Sequence, residues 1–563
     1  MSLAVGAQGV LLVIGPMVVL ASIPSHATQQ SSSYISWTVF VALLACGVLT
    51  ALQALRMGPF GAGLLFIVGV SPAFVAVSAL ALAEGGPVLL ASLTVVSAFS
   101  YFLLAAWLPR LRKVITPLVA GIVLMLIGFS LLPVAFGQIS SVPAGKGEMT
   151  GLITALVTVA TAVVLALLSD GAWRIWSPLI TISAGCAAAL LFGILDTGGV
   201  ADAPWLGLPT AGFHGFAFEF GASFWTLLPV FALVALVDAI KSIGDGILMQ
   251  QQSWRLPRVT DYRRIQGSIN ATGAGFALAA AMGSAPLSSY GSYSAALSGT
   301  TQVASRRVGV YLGSVLVLVA LMPKLMAVLL AVPGPVAGAY LLTIAGLLFV
   351  SGVRNASQGG LSARDTVILS SAFALGAGIE HDVVVAELVG DVWEPLASNG
   401  LLVGAFVAIA MNLLTELVGA RKRHRFDLSL SRDSLPELDG CLVSMAERVG
   451  WSSQAAQRLR ATGEETLLCL LDMNEQQSDG ETRRLVLLAR PGPTAVHLEF
   501  IAIAVDENLE DRLACLSEEI EGSVETTDPG VLSLRLLQHY TSGLQHQKYL
   551  GMDIVNLQVS KVG

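Results

Sequence analysis

Three ionisable side chains interrupt an apolar stretch near the middle of the chain, which begins at about Phe224 and ends at about Met249. Asp238 lies three residues before Lys241, and Asp245 lies four residues after it, so in a helix all three share one face. A charged side chain at mid-membrane costs about 2.5–3.5 kcal/mol, so such groups face a protein interior or a water cavity. The pattern predicts a solute or ion pathway. The alternative is a self-neutralising Asp–Lys–Asp ladder that only holds helices together.

The composition places this stretch in a membrane protein. Of the 563 residues, 54% are hydrophobic and 12% charged, and the mean hydropathy is +0.74, which is far from the composition of a soluble domain. The acidic residues concentrate near the C-terminus, with 20 of the 38 in residues 435–563. No basic face for nucleic acid is present. The five cysteines show no metal-binding spacing, so we predict neither a metal nor a cofactor.

Fourteen apolar segments can be counted, seven in each half of the transmembrane region. The third segment is interrupted by Gly69 and Pro72, and the tenth by Gly283, Pro286 and Gly291. Interrupted segments at corresponding positions of two halves point to a transporter substrate site. The segments lie at about 4–22, 35–55, 62–83, 87–107, 115–136, 150–168, 175–195, 224–248, 265–283, 285–301, 308–331, 335–353, 365–380 and 396–418.

The basic residues predict the orientation of these segments. With the N-terminus inside, nearly every Lys and Arg of the loops falls on the cytoplasmic side, and the outer loops hold Lys146 alone. This asymmetry favours fourteen crossings of a bacterial-type inner membrane, surrounded by lipid, with both termini cytoplasmic. The first apolar run has no charged leader or cleavage site and is expected to be retained as a span.

The pattern changes to that of a soluble domain after Arg425. Residues 453–471 predict an amphipathic helix, and 485–489 and 495–505 predict strands. Helices near 509–521 and 531–541 and a last strand at 553–559 complete a small cytosolic α/β sandwich. We predict a transmembrane transporter domain at 1–420, a linker at 421–434 and a regulatory α/β domain at 435–563.

The segment Lys241-Ser242-Ile243-Gly244-Asp245 resembles the Glu-Ser-Ile-Gly-Asp of the nucleobase–ascorbate transporter family, nucleobase:cation symporters such as uracil and xanthine permeases. Three further segments resemble elements of that family. They are Ala304-Ser305-Arg306-Arg307-Val308, Val332-Pro333-Gly334-Pro335-Val336-Ala337-Gly338 and Ser71-Pro72-Ala73-Phe74, and Gln8-Gly9 stands where the family often has Gln-His.

The resemblance implies an all-α polytopic fold of two inverted seven-span repeats, divided into core and gate domains that move against each other within a homodimer. Spans 3 and 10 each contain a short strand in that fold, and the substrate lies between those strands and span 8. By this likeness Gln8, Phe74, Ser292, Tyr293 and Ser294 join Lys241 as substrate-binding candidates, and Asp245 and Asp238 are candidates for ion coupling.

The departures from the family pattern bear on the substrate. The family's substrate-binding Glu is replaced by Lys241, and the second binding position is Tyr293. A lysine ammonium offers hydrogen-bond donors only, whereas a carboxylate accepts. The altered site therefore favours a nucleobase-like solute with a strong acceptor, or an anion such as urate, a carboxylate or a sulfonate.

Three functions stay open at this point. The first is secondary active transport of a small solute coupled to a proton or sodium. The second is anion exchange or uniport with Lys241 as a fixed countercharge. The third is a transporter-derived sensor that signals through the C-terminal domain. None of the three is an enzyme.

The C-terminal region faintly resembles the ATPase domain of anti-sigma-factor kinases and histidine kinases. Glu465 lies on the corresponding helix, but Cys469 stands where working members place a magnesium-binding Asn. The resemblance implies a degenerate domain with a nucleotide or a protein as a possible partner, and no catalysis.

Overall fold

The computed structural model describes residues 2–111, 116–143, 147–168, 173–195, 200–201, 203–209, 217–253, 260–357, 361–381, 399–420, 424–448, 450–475, 484–491, 495–503, 540–541, 543–549 and 552–560. The chain forms two compact units. The first comprises Met1–Ser253 and Arg264–Leu413, and the second comprises Trp254–Arg263 and Leu414–Gly563.

The first unit is a bundle of helices. The helices of its first half are α1 (Ser2–Ala27), α2 (Ser32–Leu55), α3 (Val75–Ser97), α4 (Phe99–Leu111), α5 (Pro117–Ser140), α6 (Glu148–Leu168) and α7 (Trp173–Leu191). Those of its second half are α8 (Ala222–Ser253), α9 (Tyr262–Ala281), α10 (Gly291–Thr301), α11 (Arg306–Ala320), α12 (Pro323–Leu330), α13 (Gly334–Ala356), α14 (Ala363–His381) and α15 (Gly400–Ala420).

Length and hydropathy identify the membrane-spanning part. Among the described residues, seven helices are long and apolar enough to cross a bilayer, or eight if the bent pair α10–α11 is one span. Large apolar side chains such as Leu168 and Leu191 are exposed on helix surfaces, as expected of residues that face lipid. A multi-pass membrane protein is therefore confirmed, and the count of fourteen crossings stays a prediction.

Small residues set the close contacts between helices. A Cβ atom on Gly121 of α5 would lie 2.6 Å from the backbone oxygen of Gly352 on α13, so the two backbones touch at this point. Membrane helices associate through such close packing because lipid offers no hydrophobic driving force between them. The buried core of the unit is correspondingly apolar along α1, α2 and α5.

Two short strands lie at the broken third and tenth segments, as predicted. Strand β1 (Val68–Val70) precedes a single 3-10 turn at Pro72–Phe74, and strand β3 (Leu287–Ser289) precedes α10. They pair antiparallel, with Gly69 opposite Ser288. Because this pairing satisfies the backbone groups that each strand turns toward the other, non-helical chain is tolerated at membrane depth.

Glycine and proline mark two divisions between helical segments. The boundary predicted between the third and fourth segments is present inside α3, whose two parts meet at the non-helical residue Gly86, with φ 67°. A backbone φ in the left-handed region costs glycine nothing, and Pro87 follows it. The eleventh segment is divided into α11 and α12 between Ala320 and Pro323, because proline removes a helical N–H and starts a new first turn.

The second unit is an α/β structure with one sheet. Its strands are β2 (Thr260–Asp261), β4 (His424–Ser429), β5 (Arg484–Pro491), β6 (Ala495–Ile503), β7 (Gly543–Tyr549) and β8 (Met552–Ser560), in the order β2-β7-β8-β6-β5-β4. Helices α16 (Leu435–Arg448) and α17 (Ser453–Glu475) pack on it through a core that includes Leu442, Leu467 and Phe500.

The sequence predicted much of this second unit. The helix at 453–471, the strands near 485 and 495 and the last strand are present, whereas the helices expected at 509–521 and over most of 531–541 lie outside the described residues. Three strands were not expected: β4 lies inside the predicted linker 421–434, β2 comes from the loop between α8 and α9, and β7 precedes the predicted last strand.

Candidate functional site

The three ionisable residues of α8 all lie on its buried face. Asp238 is fully buried, and Lys241 and Asp245 are each 5% exposed. The sequence predicted that one face of this helix carries three ionisable side chains toward the protein interior. The structure has this arrangement. Strand β3 and the 3-10 turn before α3 pack against this part of α8.

Lys241 is held by three acceptors. Its Nζ donates to Ser288 Oγ at 3.1 Å and to the Ser289 carbonyl oxygen at 2.5 Å. It also lies 3.3 Å from Asp245 Oδ2, one helical turn further along α8. An ammonium group has three N–H donors, so the ion is fully coordinated in this conformation. A solute can bind Lys241 only by displacing one of these acceptors.

Asp245 is the anionic partner of Lys241 and has a second donor. Ser289 Oγ donates to Asp245 Oδ2 at 2.6 Å and lies 3.0 Å from Ser242 Oγ. The first residue of α10, Gly291, packs against this carboxylate so closely that a Cβ atom there would lie 2.5 Å from it. The pair Lys241–Asp245 is thus fixed from one side by β3 and α10.

Asp238 has a different environment from Asp245. Ser71 Oγ donates to its Oδ1 at 3.0 Å, and Tyr101 Oη donates to its Oδ2 at 2.5 Å. Ser71 lies between β1 and the 3-10 turn, and Tyr101 lies on α4. The carboxylate therefore joins α8 to two elements of the first half of the chain through hydroxyl groups.

The Ser294 hydroxyl forms hydrogen bonds with backbone groups near β1. Its hydroxyl donates to the Tyr290 carbonyl oxygen at 2.8 Å and accepts from the Ile67 N–H at 2.9 Å. The next amide, Val68 N–H, donates to Thr50 Oγ1 at 3.1 Å. These bonds satisfy polar groups that would otherwise be buried without partners. A contact between Ser294 and a solute stays a prediction.

Tyr293 lies in an aromatic group beside the two strands. Its ring stacks on Tyr290 with centroids 5.1 Å apart and an interplanar angle of 29°. Tyr293 also packs against the apolar core of the first unit, to which Tyr340 of α13 belongs. Tyr290 in turn donates to the Val70 carbonyl oxygen at 2.8 Å, so this group is attached to β1.

Phe74 ends the 3-10 turn and lies in a second aromatic group. Its ring centroid is 5.8 Å from that of Phe231 on α8 and 5.1 Å from that of Phe276 on α9. Phe276 also lies 5.2 Å from Tyr101, the donor to Asp238. Phe74 therefore borders the Asp238 environment, and its ring is almost fully buried.

The other two predicted residues are not joined to this cluster. Ser292 is exposed on α10, and Gln8 is half-buried on α1. None of the hydrogen bonds found among the described residues connects either side chain to Lys241. Their roles as solute ligands stay predictions.

Tyr101 is a functional candidate that the sequence did not reveal. Tyr101 is separated from Asp238 by 137 residues, and no motif surrounds it. A tyrosine in an apolar span does carry one signal, because a buried hydroxyl usually finds a polar partner. That signal gives no indication of which partner it finds.

A cavity of about 590 Å³ lies between the C-terminal ends of α1 and α5, the start of α3 and the region where α12 and α13 meet. Its polar lining consists of Ser22, His26, Gln29, Gln138 and Ser141, with no Asp, Glu, Lys or Arg. In the orientation predicted from the loop charges, these helix ends face the outside. The volume is in the usual range for small-molecule pockets.

A multi-pass helical unit with buried charges beside two paired half-span strands has the construction of a membrane transporter. The family model Xan_ur_permease, described as Permease family, matches residues 1–384, and the chain belongs to this family. The members of this family to which the chain is similar are transporters and not enzymes.

The chain is 29% identical over 422 residues to "Xanthine permease XanQ" of Escherichia coli K12, which covers 72% of this chain and 89% of that protein. It is 27% identical over 430 residues to "Nucleobase transporter PlUacP" of Paenibacillus larvae, covering 75% and 96% respectively. Among solved structures, it is similar to "The transmembrane domain of a cyanobacterium bicarbonate transporter BicA", with 15% identity, 67% and 95% coverage and a TM-score of 0.46.

Proposed function

We propose that the chain is a secondary active transporter of a small nucleobase-like or anionic solute, coupled to a proton or sodium. It acts in a bacterial-type inner membrane with both termini in the cytosol, and its core domain moves against its gate domain within a homodimer. The observation that carries the proposal is the ammonium of Lys241, fixed beside the two half-span strands of a permease-family chain.

The solute class is argued from the donors at this site. Lys241, Ser288 and Ser289 supply N–H and O–H groups, and the flat ring of Tyr293 stacks on Tyr290, the residue after β3. The related proteins are named for xanthine and for nucleobases. A heterocycle with a carbonyl or anionic oxygen displaces Ser288 or Asp245 from Lys241, and the exchange of one acceptor for another keeps the ammonium satisfied.

The two carboxylates of α8 supply the ion coupling that the missing family Glu would supply. Asp245 changes its partner when a solute takes its place at Lys241, so its charge is linked to solute binding. Asp238 is linked to the strands through Ser71. Both are therefore placed to connect an ion to the movement of the site.

Uptake into cells tests the role of Lys241. A labelled panel of uracil, xanthine, urate, short carboxylates and sulfonates is compared in wild type and Lys241→Ala. Loss of uptake is expected, because Asp245 is left as an unpaired buried charge and the solute loses its donor. Lys324→Ala is the matched control, since Lys324 is a half-buried lysine over the Trp205 ring and remote from α8 in the sequence. Equal uptake by wild type and Lys241→Ala contradicts the proposal.

One observation favours a second candidate, a sensor or exchanger. All three donors of Lys241 are occupied within the protein. A sensor could use such an ion pair to keep the site closed. In an exchanger, only a competing anion would separate the pair. Proteoliposomes separate these functions. A symporter accumulates solute, an exchanger shows counterflow without accumulation, and a sensor binds solute without flux.

For the second unit, we propose regulation of transport, with a nucleotide or a protein as partner. Truncation after Ala420 removes β4 and everything after it. A regulatory role predicts that the truncated transporter still moves solute, with altered rate or control. Membrane-inserted, folded protein without any activity contradicts a purely regulatory role.

A further inference from the structure

Asp238 is fully buried, and its two oxygen atoms face hydroxyl groups. Its carboxylate receives Ser71 Oγ on one oxygen and Tyr101 Oη on the other, and these are the partners found among the described residues. The environment is therefore defined by two oxygen–oxygen contacts, of 3.0 Å to Ser71 and 2.5 Å to Tyr101.

A hydroxyl can donate or accept, which distinguishes these partners from N–H groups. When Asp238 is a carboxylate, Ser71 and Tyr101 donate to it. When Asp238 is protonated, its O–H donates to one hydroxyl oxygen, and that hydroxyl turns its own hydrogen elsewhere. The same two contacts thus accommodate both protonation states without rearranging heavy atoms.

Asp245 does not have two partners that can both donate and accept. Its Oδ2 contacts Lys241, and an ammonium can donate but not accept, so this contact cannot receive a carboxyl O–H as a hydroxyl oxygen can. If Asp238, Lys241 and Asp245 are all charged, the buried face of α8 carries a net charge of −1. An unpaired buried charge is expensive, and protonation of Asp238 removes it. When Asp238 loses its proton, the negative charge returns to the buried face of α8. Solute binding or a movement of the site must then offset the cost of that charge.

We propose that Asp238 carries the coupled proton, with Tyr101 and Ser71 as its positioning residues. The inference rests on the proposed function, and it selects a proton over sodium. Hard metal cations are bound by about six oxygen ligands in proteins. The described surroundings of Asp238 supply two hydroxyl oxygens in addition to the carboxylate.

Protonation of Asp238 changes the hydrogen bond that joins α8 to the half-span strands. On loading, a new O–H bond forms on Asp238 with a proton from the aqueous phase, and on release it returns to water on the other side. A hydrogen bond to a charged carboxylate is roughly twice as strong as a neutral one. Protonation therefore weakens the tie to Ser71, whose N–H donates to the Pro286 carbonyl oxygen just before β3.

Few ionisable groups lie on the described elements around Asp238. Tyr101 of α4 contacts it directly. The others are Tyr290 after β3, Tyr293 on α10, and Lys241 and Asp245 on α8 itself, with Arg110 at the other end of α4. Helix α5 carries no ionisable side chain, and those of α3 and α9 are limited to Glu84 and to residues 262–264. A pH response of this site is therefore assigned to a short set of residues.

Infrared spectroscopy of the purified full chain tests the proposal without any solute. A pH titration is expected to show the carbonyl band of a protonated buried carboxyl. The band is lost in Asp238→Asn. In Asp245→Asn it is kept but needs a lower pH, because the buried face of α8 is then neutral with Asp238 charged. The band shifts in frequency in Tyr101→Phe and Ser71→Ala, which retain the carboxyl group. A band that survives in Asp238→Asn overturns the proposal, as does a wild type without the band. An unshifted band in both hydroxyl variants overturns the roles of Tyr101 and Ser71.

Proteoliposomes loaded with an imposed pH gradient provide the second readout, with labelled xanthine as the probe. One coupled proton gives about tenfold accumulation per pH unit in wild type, since a tenfold ratio corresponds to about 1.4 kcal/mol. Asp238→Asn is expected to lose this accumulation. If xanthine accumulates in response to a sodium gradient and its accumulation does not depend on the pH gradient, the proton assignment is overturned. A wild type that moves no panel solute contradicts the proposed transport function, and the infrared result still decides the protonation of Asp238.

Discussion

Gly291 begins α10 directly beside the carboxylate of Asp245. A Cβ atom added there would lie 2.5 Å from the Cβ, the carboxyl carbon and one oxygen of Asp245. Carbon atoms in ordinary contact are about 3.5 Å or more apart. In Gly291→Ala, α10 and α8 must therefore separate by about 1 Å at this point, because the Asp245 Cβ is fixed to the α8 backbone.

That movement breaks the contacts that define the cluster. The bond from Ser289 Oγ to Asp245 Oδ2 is 2.6 Å, and the bond from Lys241 Nζ to Ser288 Oγ is 3.1 Å. Both join α8 to β3, which leads directly into α10, so an added ångström of separation takes both beyond hydrogen-bond distance. Hydrogen bonds to charged groups contribute about 1.5–3 kcal/mol each, and overpacking adds about 1–3 kcal/mol. A loss of only 1.4 kcal/mol in solute binding is already about tenfold.

The assay is uptake of the solute identified in the panel, measured as concentration dependence in cells with equal amounts of inserted protein. Gly291→Ala is expected to weaken the apparent affinity about tenfold or more. Gly346→Ala on α13 is the control, because a Cβ atom there meets nothing within 4 Å. It adds helix propensity on an exposed surface and is expected to transport like wild type.

Two results would refute this reasoning. In the first, Gly291→Ala transports with the affinity and rate of wild type, so the position of Asp245 has no part in solute binding. In the second, both glycine variants lose the same amount of activity, so the loss reflects general damage to helix packing.

Three further predictions concern residues elsewhere in the chain. Gln53→Leu is expected to lower thermal stability in detergent. The buried amide donates at 3.0 Å to Ser268 O and accepts at 3.0 Å from Ala62 N–H, and each buried partner left without a hydrogen bond costs about 1–3 kcal/mol. An unchanged unfolding temperature would contradict this expectation. Arg425 and Arg484 lower the pKa of Asp427, so its contribution to stability is present above the ordinary Asp pKa and is lost as pH falls; the difference in unfolding temperature between wild type and Asp427→Asn should shrink below about pH 4. Burial, and then Glu437, raise the pKa of the Cys441 thiol, so its reaction with maleimide at neutral pH should be slower than that of a free cysteine and should speed up with rising pH.

The sequence was most informative where a rule of spacing or backbone chemistry applied. The i, i+3, i+7 positions of Asp238, Lys241 and Asp245 predicted one buried face of α8. Glycine and proline in the third and tenth segments predicted the broken spans that became β1 and β3. Both rules are local, so a single sequence is enough to apply them.

The partners within the site depend on contacts between distant parts of the chain. Tyr101 reaches Asp238 across 137 residues, and Ser288 reaches Lys241 across 47. Nothing in the local sequence indicates that all three donors of Lys241 are taken by the protein itself. The same holds for β4, whose polar, alternating residues 424–429 were expected to form a linker and pair instead with β5.

The β1–β3 pair has a consequence for how the protein is made. Tyr290 and Val70, which bond across this pair, are 220 residues apart. Translation at about 5–20 residues per second takes about 11–44 s to cover that distance. During that interval β1 is in the membrane with backbone groups that have no partner, each costing several kcal/mol in lipid. The nascent first half must therefore be shielded by water or by an insertion factor until β3 arrives, and slow or failed arrival leaves a species that quality-control proteases can recognise.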